Sequence, residues 1–73
     1  MSELKKVRIT YPATVFVSKF IFVEQDKIDE MIDNHELIVD FIYGNMTHEQ
    51  KDFTEKDSIH SAYTQGYAKL KIL

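Results

Sequence analysis

The sequence predicts an α+β domain, and three observations carry that prediction. Residues 6–23 hold two runs of β-branched and aromatic side chains on either side of Pro12. Residues 26–43 repeat apolar side chains at helical spacing, and residues 67–73 alternate apolar and basic positions again. The expected architecture is a small antiparallel sheet of about three strands, a β-hairpin over 6–23 and a C-terminal strand over 67–73. The sheet packs against a main helix over 26–43, with a second, shorter helix at about 54–65.

In the first run, Val7, Ile9 and Tyr11 alternate with Arg8 and Thr10, the period-2 pattern of a half-buried strand. Pro12 has no N–H to give to a ladder, so the pairing should stop there and the hairpin turn near Pro12-Ala13. The second run, Thr14 to Val23, is apolar on both phases: Phe16, Phe20 and Phe22 alternate against Val15, Val17, Ile21 and Val23. Such a strand needs cover on both faces, or shifts phase near Ser18-Lys19. One helix covers one face, which leaves the other for a second copy of the chain and motivates a homodimer.

The segment 26–43 sorts its residues most cleanly. At 100° per residue Ile28, Met31, Ile32, His35, Ile38, Val39, Ile42 and Tyr43 share one face. Asp26, Asp29, Glu30, Asp33, Glu36 and Asp40 share the other. Asp26 suits a helix N-terminus, and Gly44-Asn45 suits a C-terminal stop. The weak point is Asn34-His35. A strand over 36–43 is the rival reading, but it sorts only half of the segment. Farther on, Thr47 and Gln50 have capping-box spacing, and Ile59, Ala62 and Tyr63 mark the inner face of the second helix, with Gly66 ending it. Ala68, Leu70 and Ile72 then alternate with Lys69 and Lys71.

Seventy-three residues make one domain, 1–73. A chain this short buries only about 60% of the surface its unfolded form exposes, so its core is small. Without cysteine there are neither disulfides nor thiolate metal sites. No apolar run is long enough for a membrane span, and the first residues lead into strand-like alternation rather than a signal core, so a cytoplasmic protein is expected. Net charge is −3, which argues against direct nucleic-acid binding. The charge is uneven: Glu24 to Asp40 sums to −6 and the remainder to +3.

No catalytic constellation emerges. Ser58 and His60 are helical neighbours two apart and do not face each other, and two glycines cannot build a phosphate loop. His48 and Asp52 share a helix face but lack a third metal ligand, so no metal or cofactor is expected. His35, central in the apolar stripe, reads as a buried neutral imidazole with a hydrogen-bond partner. Lys5, Lys6 and Arg8 with Lys69 and Lys71 form a small positive patch if the first and last strands are neighbours, with lysine protection of strand edges the ordinary explanation.

A solvated face is the ordinary explanation of the acidic stripe too. Two features raise it above that: lysine is nearly absent from it, and Leu37 and Phe41 sit beside the acids away from the core stripe. The sequence therefore points to a small non-enzymatic protein-binding module or inhibitor. It would dock Asp26, Asp29, Glu30, Asp33, Glu36, Leu37, Asp40 and Phe41 on the basic surface of another protein. The Lys- and Ile-rich composition fits an AT-rich, phage-like genome and a host protein as target. The alternative is a homo-oligomeric accessory protein with no separate ligand site.

Overall fold

Val7, Ile9 and Tyr11 are completely buried, while Arg8 between them is exposed and Thr10 half-buried, so the first strand follows the period-2 pattern. In the computed structural model, which describes residues 3–73, this strand is β1 (Leu4–Pro12). It pairs antiparallel along its whole length with β2 (Phe16–Glu24), from Leu4 opposite Glu24 to Pro12 opposite Phe16. Four helices follow: α1 (Gln25–Met31), α2 (His35–Gly44), α3 (His48–Phe53) and α4 (Lys56–Gln65). The chain then returns as β3 (Lys69–Ile72), antiparallel on the free side of β1, with Arg8 opposite Lys71 and Thr10 opposite Lys69. The sheet order is β2-β1-β3, and the fold is α+β as the sequence predicts.

The core joins Val7, Ile9, Tyr11 and Val23 of the sheet to Ile28 and Met31 of α1, Ile38, Val39 and Ile42 of α2, and Ile59 and Ala62 of α4. The helices thus cover one face of the sheet. Tyr11 reaches through this layer to the helix surface, where its hydroxyl donates to Gln50 Oε1 at 2.7 Å. Gln50 also completes the expected capping box: its Oε1 accepts from the Thr47 N–H at 3.0 Å, and its own N–H bonds Thr47 Oγ1. Gly66 ends α4 in the left-handed region, φ 88°, with the Tyr67 N–H donating to the Ala62 carbonyl at 2.7 Å.

Several sequence expectations need correction. The helix over 26–43 is two helices, because Asn34 is extended (φ −117°, ψ 105°) and its side chain caps α2 by accepting from the Leu37 N–H at 3.1 Å. Asx side chains compete with helical hydrogen bonds in this way, and the break also takes Asp33 out of helical register with Asp29 and Glu30, leaving Asp26, Asp29 and Glu30 together on α1. Gly44 is the last residue of α2, and Asn45 caps it without positive φ, its side-chain amide donating to the Phe41 carbonyl at 2.8 Å. The hairpin turns through Ala13–Val15, with Pro12 in the last ladder pair, where its missing N–H costs least. The second helix starts at Lys56 rather than 54, and the last strand at Lys69 rather than 67, because Tyr67 and Ala68 complete the turn after Gly66.

The phase of β2 does not slip at Lys19. Val17, Lys19, Ile21 and Val23 all face the helices, and the Lys19 ammonium escapes burial by donating to the Asn45 carbonyl and lying 5.7 Å from the Tyr11 ring. His35 is exposed at the start of α2, against His60 and Tyr63 of α4 with ring centroids 4.6 and 4.5 Å away. The break at Asn34 turns it out of the apolar stripe that an unbroken helix would have given it.

Candidate functional site

Because nothing covers the far side of the sheet among the described residues, the outward side chains of all three strands form one surface. The ladder fixes their arrangement. Phe22 lies opposite Lys6, Phe20 opposite Arg8 and then Lys71, Ser18 opposite Thr10 and then Lys69, and Phe16 opposite Pro12. Aromatic rings therefore run along edge strand β2, and cations along β1 and β3. Phe16, Phe20 and Phe22 are 64%, 57% and 66% exposed. Tyr67 is 55% exposed and extends the aromatic row at one end, its ring 6.4 Å from that of Phe16. Leu4 closes the other end beside Glu24.

The charges of this surface differ from those elsewhere. Elsewhere three lysines meet carboxylates, Lys27 with Glu30, Lys56 with Asp40 and Lys5 with Glu3, while Lys19 donates to the Asn45 carbonyl and Lys51 lies 5.2 Å from the Tyr43 ring. Among the described residues, none of Lys6, Arg8, Lys69 and Lys71 is in an ion pair. Arg8 and Lys71 stand directly opposite each other in the ladder, a like-charge pair that destabilises a sheet. The Lys6 ammonium lies 4.6 Å over the Phe20 ring, the face's internal contact between a cation and an aromatic ring. With Glu24 included, the face carries +3, so the remaining residues of a chain of net charge −3 carry −6. Net charge alone conceals this polarisation.

The residues singled out from the sequence are only partly brought together. Leu37, Asp40 and Phe41 line one shallow groove with Lys27, Gly44 and Asn45. Phe41 packs partly into the core, and Leu37, at 36% exposure, is barely an exposed anchor. Asp26, Asp29, Glu30 and Asp33 belong to α1 and the break after it, so they do not continue the line of Glu36 and Asp40 on α2. Two of the six acids are matched to lysines, Glu30 to Lys27 and Asp40 to Lys56, and Asp29 accepts from the Gln25 side chain at 2.8 Å. The Lys56 ammonium is held above its ordinary pKa chiefly by the hydrogen bond and charge of Asp40.

Among the described residues no three His, Asp or Glu side chains converge as a metal site needs, and no helix is long and apolar enough to cross a membrane. The sheet face was foreshadowed in the sequence by the Phe16/Phe20/Phe22 phase of β2. The signal it lacked was the pairing of β1 with β3, which sets the cations beside those rings. The chain matches no family model, no curated protein and no solved structure.

Proposed function

We propose that this chain is a small non-enzymatic binding module whose recognition surface is the uncovered face of the sheet. One observation carries the reading: two groups of large, mostly exposed rings, Phe20 with Phe22 and Phe16 with Tyr67, separated by Ser18, lie beside four cations that have no ion-pair partner among the described residues. Large rings grouped in the open in this way mark interaction sites, since folding gains nothing from exposing them. Cations left without carboxylates, two of them directly opposed, suit a ligand that supplies the negative charge.

Docking through the acidic helices is the weaker reading. Its single continuous stripe does not form, several of its carboxylates are already matched, and its anchor Phe41 is half spent on the core. An inhibitor of a protein with a basic surface would have to work from α1 and α2 separately. Association of two copies through the sheet face is disfavoured by charge, because a two-fold axis near the centre of the face sets Arg8 and Lys71 against their own kind.

Retention of cellular components on the immobilised chain separates these surfaces. Phe20→Thr/Phe22→Thr should release what the wild type holds, and Asp29→Asn/Glu30→Gln/Asp33→Asn should not. The opposite pattern, with the helix variant losing the ligand and the sheet variant keeping it, would overturn the assignment of the surface.

A further inference from the structure

We infer that the ligand of the sheet face is single-stranded nucleic acid, an inference that rests on the binding-module reading above. A single strand joins planar apolar bases to a regularly spaced anionic backbone, and this face offers parallel rows of matching chemistry. Phe20 and Phe22 sit two positions apart on one side of β2, about 7 Å at strand rise, which places two bases on neighbouring rings once the Lys6 ammonium leaves the Phe20 ring for a phosphate. Lys6, Arg8 and Lys71 stand one and two strands away, about 5 and 10 Å across the sheet, where a backbone crossing the face would run. Stacking on aromatic rings contributes about 1–3 kcal/mol per base and asks for little sequence specificity. A duplex gains none of this, since its bases are already stacked inside it.

Charge decides against the competing occupants. A second copy brings the same four cations. A protein partner must be both acidic and apolar at matching positions, whereas every nucleotide carries both features.

The test is fluorescence anisotropy with a labelled twelve-residue oligothymidylate, an oligouridylate of equal length and a mixed-sequence duplex of that length. Both single strands should bind more tightly than the duplex, and their difference reports whether DNA or RNA is preferred. With four phosphates neutralised, affinity should fall about fifty-fold between 50 and 200 mM salt, from a slope of about −0.7 per contact. Arg8→Gln/Lys71→Gln should halve that slope. Phe20→Leu/Phe22→Leu preserves apolar bulk but removes the rings, and should weaken binding at least ten-fold with the slope unchanged.

Absence of single-strand binding at 50 mM salt overturns the inference, as does duplex binding of equal strength or affinity indifferent to the leucine substitutions. Sedimentation of the same samples tells that failure from failure of the surface itself. Self-association that survives Phe20→Leu/Phe22→Leu but is lost in Phe20→Thr/Phe22→Thr makes a second copy the occupant and leaves the surface assignment standing. If the oligonucleotides do not bind and Phe20→Thr/Phe22→Thr alters neither self-association nor retention of cellular components, both readings fall.

Discussion

On β2, side chains that point toward the helices and those that point away come from the same nine residues, yet they have opposite surroundings. Val23 is buried against α1, and Lys19 is steered out of the core by a hydrogen bond to Asn45. One position along in each case, Phe22 and Phe20 lie open. The same holds on β1, where Ile9 is inaccessible and its neighbour Arg8 is exposed without a carboxylate. One face of the sheet is spent on folding, and its chemistry can be read as packing. The other contributes little to stability and carries costs, among them exposed rings and opposed cations. Costs that folding does not explain are where a binding role is most economically placed.

The largest expected effect lies on the covered face. Ile9→Ala removes a fully buried side chain from the central strand and should cost about 2–5 kcal/mol, transfer and cavity terms together. A core in a domain of this size rarely supplies more than roughly 3–5 kcal/mol net, so the variant should be largely unfolded at room temperature. Urea denaturation followed by circular dichroism measures this. A well-folded variant losing less than about 1 kcal/mol would mean that the two faces differ less than their burial implies.

Next in size is the junction that splits the acidic segment. Asn34→Ala deletes the acceptor that caps α2 and should cost about 1 kcal/mol in the same titration. An unchanged midpoint would show that the break is imposed by tertiary packing and owes nothing to the cap.

That junction also shows what could be read from the sequence. The strands, the two helical regions, the capping box at Thr47 and the stop at Gly66 were legible, because each rests on local chemistry and a clear period. The break at Asn34 was visible only as a weak point, since the apolar period of α1 and α2 stays in register across it. His35 was misplaced for the same reason: periodicity assumes one axis. At the candidate site, the Phe row was legible as an uncovered phase of β2. The cations beside it depended on which strand β3 joins, and two of them, Lys69 and Lys71, lie about sixty residues from the strand they flank. Averaging charge over the chain then hid a face of one sign behind a total of the other.

On the uncovered face the expected effect is smaller. Phe22→Thr keeps a β-branched residue in the edge strand and takes away a ring that is two-thirds exposed. Stability should stay within about 0.5 kcal/mol of wild type. A loss comparable to that of Ile9→Ala would mean the ring is packed in solution, and the contrast between the faces would disappear.

The smallest effect concerns the ion pair that links α2 to α4 on the covered side, Lys56 with Asp40. The folded-state pKa of Lys56 is raised above its ordinary 10.5, first by the hydrogen bond from its ammonium to Asp40 and next by that carboxylate's charge. A raised basic group contributes stability in full below its unfolded pKa and loses it as pH climbs through the folded one. The stability difference between wild type and Lys56→Met should therefore be flat from pH 7 to 9 and shrink above about 10.5. Taking the difference cancels what the two chains have in common. Both partners are about half exposed, so salt should reduce the difference as well. If it vanishes already at pH 7, the pair is a surface contact without energetic weight. The contrast would then rest on packing alone, and the unmatched cations opposite would lose their significance as a departure from the rest of the molecule.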